Sequence, residues 1–240
     1  MILGRLKVSL RLIVFLGDLG IMEISNNNAF DLWKSAILKI KELGEDFHDN
    51  DNRTCREVYN LTLNLINVSD SKIDKPIETM INSKKWIYPS KEELSGIMFK
   101  EFQAPIYEYT YGGRIFGYNG SFDQINSFII PLLRKDPSSR RAVLVFYDPI
   151  DDSKPDNKNT PGIIYVQFRM VKGLLCMNAH IRSNDLFFGW PANIYQLYQL
   201  LVYVSKKLDV ECGTITTFSN SAHVFVEDFP QAEEILGDLK

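Results

Sequence analysis

Two groups of arginines in the sequence could bind an anion. Arg140 and Arg141 stand side by side at the start of an apolar run, and Arg182 is followed directly by Ser183. A guanidinium group presents paired N–H donors that fit the oxygens of a phosphate or a carboxylate, and a serine hydroxyl adds a further donor. Charged side chains are most often solvated, so either group could also be ordinary exposed surface.

Three other polar residues lie at the ends of apolar segments. Asp185 and Asn193 surround the start of one apolar stretch, and His223 follows a stretch rich in β-branched residues. Asp185 could cap a helix, and an isolated histidine is more often structural than catalytic. The Asn193 amide could form two hydrogen bonds with one ligand, one as donor and one as acceptor. These residues form a site only if the fold brings them together.

Hydrophobic periodicity indicates the elements that must position these residues. A spacing near 3.6 predicts helices, whereas alternation or short apolar runs predict strands. Predicted helices cover 28–43, 91–103, 122–134 (with a kink at Pro131) and 192–208, and predicted strands cover 55–68, 142–147, 163–170, 174–182 and 212–218. Segments 45–54, 69–90 and 150–161 are expected to be irregular, and 111–114 is expected to be a glycine-broken turn.

The fold class follows from these elements and their connections. Lys172-Gly173 predicts a tight hairpin between the strands 163–170 and 174–182. Hairpin-linked strands mixed with long helices predict an α/β or α+β fold.

The composition is that of an ordinary folded protein. Of the 240 residues, 45% are hydrophobic and 24% are charged, and the net charge is -3. This excludes disordered and collagen-like chains and argues against a protein that holds nucleic acid mainly by neutralising phosphates. Cys55, Cys176 and Cys212 are odd in number and widely spaced. We therefore expect neither a disulfide framework nor a metal centre, and we expect a cytoplasmic location.

The first 21 residues allow more than one interpretation. Arg5, Lys7 and Arg11 precede an apolar stretch, as in a signal peptide, but Asp18 interrupts it. The stretch is too short and too polar to span a bilayer, so we expect no membrane anchor. Residues 1–21 are interpreted as an arm, an edge strand or an extension before a functional start at Met22. Residues 22–240 are expected to form one domain.

Several segments together resemble the thymidylate synthase and pyrimidine nucleotide hydroxymethylase family, especially its short archaeal members. The string RSNDLFFGWPANIYQLYQLL is similar to the family motif RSxDxxLGxPFNI, and DPSSRRAVLVFY is similar to its DPxSRR strand. Further similarity is carried by FDQI, PGIIYVQF, YTYGGR and CREVYNLTLNLIN. Several motifs in the same order are far more specific than any one of them.

The resemblance implies a fold, an assembly and a chemistry. The fold would be a three-layer α/β (α+β) arrangement with a mixed sheet, and two copies would pack through their sheets as a homodimer with shared active sites. The substrate would be a pyrimidine nucleoside 5′-monophosphate similar to dUMP. The one-carbon donor would be 5,10-methylenetetrahydrofolate, and no metal would take part.

The resemblance also assigns the phosphate-binding residues. Arg182 and Ser183 would bind the phosphate from within one subunit, whereas Arg140 and Arg141 would reach the phosphate held by the partner. A mobile phosphate-clamping arginine would correspond to Arg53 or Arg56, and the sequence leaves this choice open.

The remaining contacts of the nucleotide and the folate are assigned in the same way. Asn193 would contact O4 and N3 of the base, His223 the 3′-hydroxyl of the sugar, and Asp185 the pterin. Gln167, Phe225 and Tyr111 would complete the surroundings of the base and sugar.

The sequence departs from the family pattern where the nucleophile is expected. The family motif PCH is replaced by Pro161-Gly162-Ile163, at the family's own spacing from Arg182 and Asn193. Glycine has no side chain, so no covalent adduct with C6 of the pyrimidine can form at Gly162. Phe225 stands where the family has tyrosine, which removes one hydrogen bond to the sugar.

Two further family features are not matched. The helix that carries the general-acid glutamate is not recognisable, and its carboxylate could be Glu92, Glu93, Glu101 or Glu108. The tail that closes over the folate is not matched before the last residue, Lys240.

Three hypotheses follow from these departures. The protein could be a divergent enzyme that alters a pyrimidine nucleotide at C5 without the cysteine, an inactive nucleotide-binding pseudoenzyme, or a scaffold that has lost its ligand. The joint presence of both arginine groups, Asn193 and His223 argues against the scaffold, because buried unpaired charge is costly.

Overall fold

The structure, a computed structural model, describes residues 22–49, 51–100 and 109–237. The arm predicted for residues 1–21 and the candidate acids Glu101 and Glu108 lie outside the described residues. Among the described residues, no helix is long and apolar enough to cross a membrane.

The described chain alternates helices with strands. The strands are β1 (Met22–Asn26), β2 (Glu45–His48), β3 (Thr54–Leu65), β4 (Val143–Val145), β5 (Ile163–Val171), β6 (Leu174–Asp185) and β7 (Glu211–Phe225). The helices are α1 (Ala29–Leu43), α2 (Lys75–Ser83), α3 (Lys91–Phe99), α4 (Tyr111–Phe116), α5 (Ile130–Lys135), α6 (Pro149–Asp152), α7 (Gly189–Leu208) and α8 (Phe229–Leu236). A π-helical turn, Ile125–Ile129, leads into α5.

The strands form one mixed sheet of seven. Their order is β1-β3-β7-β6-β5-β4, and β2 pairs with the beginning of β3. The β6–β7 and β1–β3 pairs are parallel, whereas β3–β7, β5–β6 and β4–β5 are antiparallel. A mixed sheet with packed helices confirms the predicted fold class.

The core lies where the helices cover the sheet. Burial alternates along β6, where Leu175, Met177, Ala179 and Ile181 are buried. Helix α1 packs on β3 and β1, and α7 packs on β6 and β7. The alternate residues of β5, β6 and β7 form a second face that the described residues leave partly exposed, and on it Tyr165, His180 and Phe218 stack side by side.

Helix α1 is fixed by a cap at its N-terminus and by a hydrogen bond from its buried face. The Asn28 side chain caps it by accepting hydrogen bonds from the backbone N–H groups of Phe30 and Asp31. The fully buried Trp33 indole donates to the carbonyl of Leu186 at 2.6 Å. Because Leu186 directly follows β6, this bond holds the end of that strand against the core.

Most of the predicted elements are confirmed. Helices α1, α3 and α7 and strands β3, β4, β5, β6 and β7 lie where periodicity predicted them. The predicted helix 122–134 is a π-helical turn that passes directly into α5, with Pro131 in the first turn of α5. The hairpin between β5 and β6 turns at Lys172 and Gly173, both with positive φ. This is the backbone that such two-residue turns require.

The sequence prediction is wrong in four polar segments. Residues 45–54 contain β2, which is exposed but pairs with β3, and residues 69–90 contain α2. Residues 150–161 begin with the end of α6. Residues 111–114 form the start of α4 rather than a turn, because the Thr110 hydroxyl caps that helix through the Gly113 N–H.

Gly112 allows helix α4 to lie close to the end of α3. A Cβ atom at this position would come within 2.0 Å of the Lys100 carbonyl oxygen and 2.6 Å of the Lys100 nitrogen. We therefore expect Gly112→Ala to destabilise the protein by about 2 kcal/mol or more, because the backbone must move. Thermal unfolding should show a fall in Tm of roughly 5 °C or more.

A matched control is Gly96→Ala in α3. Its added Cβ would meet only the flexible end of the Lys100 side chain at 3.2 Å, and alanine favours a helix. Equal Tm values for the two variants would contradict the close approach at Gly112.

Candidate functional site

Arg182, at the end of β6, holds the loop that leads into β5. Its Nε donates to the carbonyl of Pro161 at 3.0 Å, and its Nη2 donates to the carbonyl of Thr160 at 3.0 Å. Its backbone N–H donates to the carbonyl of Gly162 at 2.9 Å. The side chain remains exposed, so the same guanidinium can also face a ligand.

Gly162 leaves ordinary space for a side chain. A Cβ atom there would lie 3.7 Å from the Ser183 carbonyl oxygen and 4.0 Å from the Tyr111 hydroxyl, which are normal van der Waals distances. The predicted site residues Gly162, Arg182, Ser183 and Tyr111 are therefore brought together. Among the described residues, no backbone or side chain occupies the space that a cysteine side chain would take at this position.

Tyr111 and Tyr109 form an aromatic pair beside this position. Their rings meet edge to face with centroids 5.9 Å apart. Burial raises the pKa of both phenols, so both hydroxyls stay protonated near neutral pH. The Tyr111 hydroxyl is hydrogen-bonded to Tyr109 and to the backbone of Ile163, so Tyr109 is the phenol that can donate at the place where the nucleophile was expected. Tyr109 was not predicted, because a tyrosine in an unstructured-looking stretch carries no distinguishing signal.

Asp185 and His223 are register neighbours on the parallel strands β6 and β7. One carboxylate oxygen of Asp185 accepts hydrogen bonds from the backbone N–H groups of Phe187 and Phe188 at 2.9 and 3.1 Å. Burial raises the pKa of Asp185 and lowers that of His223, while each partially opposes the shift of the other. His223 lies within β7, not after a strand as expected.

The His223 ring has a vacant hydrogen-bonding position. Its Nδ1 atom is buried and has no partner among the described residues. Since burial favours the neutral imidazole, one ring nitrogen can donate and the other can accept. Glu57, which the sequence analysis missed, lies opposite His223 on β3 and adds a buried carboxylate to the surroundings.

Asn193 projects from the first turn of α7 and is held by a buried neighbour. Its Nδ2 donates to Oδ1 of Asn184 at 3.4 Å, and Nδ2 of Asn184 donates to the hydroxyl of Ser219 at 3.0 Å. Asn184 and Ser219 are fully buried. Neither was predicted, because inward-facing asparagine and serine on a strand look like ordinary small polar residues in a sequence.

The structure distinguishes Arg53 from Arg56. The Arg53 guanidinium stacks on Phe225, 3.3 Å from the ring centroid, and donates two hydrogen bonds to Glu227. Arg56 instead forms a two-pronged ion pair with Asp46 on β2 and points towards the carbonyl of Lys41. Arg53 therefore lies beside the Asp185–His223 pair, and Arg56 is committed elsewhere.

Arg140 and Arg141 do not lie near Gly162 and Arg182. They precede β4, where Val143 pairs with Gln167, and the Gln167 amide donates to the carbonyl of Arg140 at 2.7 Å. This point is roughly 17 Å along β5 from Gly162, at about 3.3 Å per residue. Both arginine side chains are exposed and have no ion pair or hydrogen bond among the described residues. Gln167 thus lies with them, away from Asn193 and His223.

A polar cavity of about 860 Å³ opens between α4 and the loop after α6. Tyr109 lines this cavity, so it adjoins the site, although none of the predicted site residues lines it. Glu92 and Glu93 are exposed on α3, and Glu93 closes a capping box with Ser90. Within the described ranges, no three His, Cys, Asp or Glu residues are grouped to hold a metal ion.

Comparison with known proteins identifies the relatives of this fold and site. The family described as thymidylate synthase matches residues 32–238. A protein of Methanosarcina barkeri (strain Fusaro / DSM 804) named "Putative thymidylate synthase" is 33% identical over 86% of this chain and 90% of its own length. A similarly named protein of Methanothermobacter thermautotrophicus is 31% identical over 89% and 97%. The deoxyuridylate hydroxymethyltransferase of Bacillus phage SP01 is 33% identical over 53% of this chain and 35% of its own length.

Asp228 provides a test of the electrostatics beside Arg53. Burial and the nearby charge of Asp185 raise its pKa to about 6, whereas Arg53 opposes the shift. In the unfolded chain it ionises near pH 4. The folded state therefore loses stability as the pH rises from about 4 to 6, and the loss persists above pH 6.

We expect Asp228→Asn to raise the Tm at pH 8 by about 3 °C or more, and to change it little at pH 4.5. Thermal unfolding at both pH values checks this, with the exposed Asp156→Asn as the control. A variant that is no more stable than the wild type at pH 8 would show that Asp228 carries no burial penalty.

Proposed function

Because the chain belongs to the thymidylate synthase family, we propose that it binds a pyrimidine nucleoside 5′-monophosphate of the dUMP type and modifies C5 of its base by one-carbon transfer. The observation that carries the proposal is the arrangement of polar residues around Gly162. Arg182 and Ser183, Asn193, and the Asp185–His223 pair lie at the same end of the sheet, as phosphate, base and sugar contacts would require. The unpartnered Nδ1 of His223 supports a ligand at this end.

The phosphate would be held from two subunits. Arg182 and Ser183 belong to the protomer that contributes Gly162, and Arg53 is the clamp we assign from that same protomer. Arg140 and Arg141 lie too far along β5 to reach this position and have no partner among the described residues. The partly exposed sheet face with Tyr165, His180 and Phe218 is a surface on which a second copy could pack. We therefore propose a homodimer with shared sites.

The residues present fit a reduced folate. Asp185 has one carboxylate oxygen bound to backbone N–H groups and the other without a hydrogen bond among the described residues, so it can accept from the N–H groups of a pterin. When bound, 5,10-methylenetetrahydrofolate would supply the one-carbon unit. The role of the chain would be to orient the base, hold the phosphate and exclude water.

No other thiol replaces the missing nucleophile. Burial raises the pKa of Cys55 to about 11, so its thiol stays protonated at neutral pH. Cys176 accepts a hydrogen bond from the Thr214 N–H, and Cys212 donates to Ser205, towards the opposite end of β6 and β7. Any C5 chemistry must therefore proceed without a bond from a cysteine to C6, and it would rely on the protonated phenol of Tyr109 and on positioning.

Gly162 itself favours a second candidate function. Loss of one member of a catalytic unit typically removes about 10⁴-fold or more of the acceleration. A protein that keeps the phosphate and base contacts but lacks the nucleophile could act as a nucleotide-binding homodimer without turnover. Release of tritium from dUMP labelled at C5, with and without the folate, separates the two functions, since only the enzyme exchanges this hydrogen.

Shared sites predict complementation between two defective chains. We expect Arg141→Ala and Arg182→Ala each to weaken dUMP binding by about tenfold or more, because each removes a charge-assisted contact. In a mixed dimer, one of the two sites then has Arg182 from the Arg141→Ala chain and Arg141 from the Arg182→Ala chain. Isothermal titration of the mixture should recover high affinity at about one quarter of all sites.

The control for this experiment is Arg134→Ala. Arg134 binds the carbonyl of Lys207 on α7 and lies outside the site, so dUMP affinity should not change. If the mixture recovers no tight sites, the cross-subunit role of Arg141 is wrong. Unchanged affinity for Arg182→Ala would remove the phosphate assignment as well.

A restored thiol tests whether the rest of the catalytic site is intact. The space at Gly162 accepts a Cβ without displacement, so Gly162→Cys should fold. We expect it to raise tritium release from C5-labelled dUMP at least about tenfold, and Gly162→Cys with Ile163→His to exceed it. Gly162→Ser, of similar size but poorly nucleophilic, is the control. If no cysteine variant exceeds the serine variant, more than the nucleophile has been lost.

A further inference from the structure

The hydrogen bonds around Asn193 have a consequence for base recognition. The Asn193 amide donates to the Asn184 carbonyl oxygen, and Asn184 in turn donates to Ser219. Asn184 is 1% exposed and Ser219 is 0% exposed. The two groups that extend this row beyond Asn193 are therefore shielded from water, which cannot replace their hydrogen bonds.

A free asparagine cannot distinguish uracil from cytosine. Uracil presents an acceptor at O4 and a donor at N3, whereas cytosine presents a donor at N4 and an acceptor at N3. A rotation of the amide by 180° exchanges its N–H and C=O groups and so satisfies either base. Discrimination requires that something other than the base fix the orientation of the amide.

We propose that Asn184 is a positioning residue that fixes the amide of Asn193 and makes the pocket select uracil over cytosine. The inference rests on the proposed function, because it supposes that Asn193 faces the base. It assigns the selection to a residue that would not touch the nucleotide.

Turning Asn193 alone would place its carbonyl oxygen against that of Asn184. Two facing acceptors repel, and the buried amide groups would lose a hydrogen bond. Turning both amides requires Asn184 to rotate in a fully buried site and Ser219 to become the donor. Ile163, on the other side of the site, is fully buried and has no polar side-chain atom that could orient Asn193 instead.

The test is the ratio of dUMP to dCMP affinity, measured by isothermal titration of the full-length protein. We expect the wild type to prefer dUMP, and Asn184→Leu, which has similar size but no acceptor, to reduce the preference about tenfold. Affinity for deoxyribose 5-phosphate, which lacks the base, should stay the same. A purely structural defect would weaken all three ligands together.

A second pair of variants keeps the test valid if Asn184→Leu does not fold. Ser219→Ala removes the group that holds Asn184, and it should reduce the preference to a smaller extent. The matched control is Thr217→Val on the same strand, where a buried hydroxyl without a partner is removed. Asn184→Asp at pH 8 keeps an acceptor towards Asn193 and should retain the preference.

The outcomes separate the inference from the function on which it rests. If the wild type binds neither nucleotide, the proposed function is wrong. If it binds dUMP and dCMP equally, or if Asn184→Leu and Ser219→Ala keep the wild-type ratio, the positioning role is overturned while nucleotide binding stands.

Discussion

The parallel pairing of β6 with β7 determines where the site forms. Parallel neighbours need a crossover connection, and α7 provides it, so the first turn of α7 lies at the end of β6. Asn193 therefore lies near Asp185. Because β5 and β3 run antiparallel to β6 and β7, their beginnings lie at the same edge and bring Gly162 and Arg53. Residues from four strands and one helix therefore lie together at one end of the sheet.

Polar groups at this edge lie in a setting that disfavours charge. Burial shifts the pKa of Asp185 upwards and that of His223 downwards, so each is pushed towards its neutral form. A buried imidazole nitrogen without a partner costs free energy that a hydrophobic residue would not. A ligand hydroxyl at that nitrogen would remove the cost. The pair therefore fits a binding site better than it fits a stabilising element.

Much of this arrangement could be predicted from the sequence, and the exceptions have physical causes. The family, the fold class and the helices and strands with clear periodicity are confirmed. Strand β2 and helix α6 were missed because they are short and their residues are largely polar and exposed. Helix α2 was missed although Ile77, Met80 and Ile81 stand at helical spacing, because its apolar stripe is short and polar residues surround it. Asn184, Ser219 and Glu57 were missed because only the strand register reveals their neighbours. The choice between Arg53 and Arg56 likewise depended on which partner each guanidinium finds in space.

The individual site residues differ in how strongly they indicate that a ligand binds here. Arg182 binds the carbonyls of Thr160 and Pro161, so this arginine would be needed to hold the loop before β5 even without a nucleotide. Its presence alone does not argue against a scaffold. Arg140 and Arg141 bind nothing through their side chains among the described residues, and the His223 nitrogen is buried and unpaired. Exposed arginines are ordinary on a protein surface, so the buried His223 nitrogen supports a bound ligand more strongly than either arginine group does.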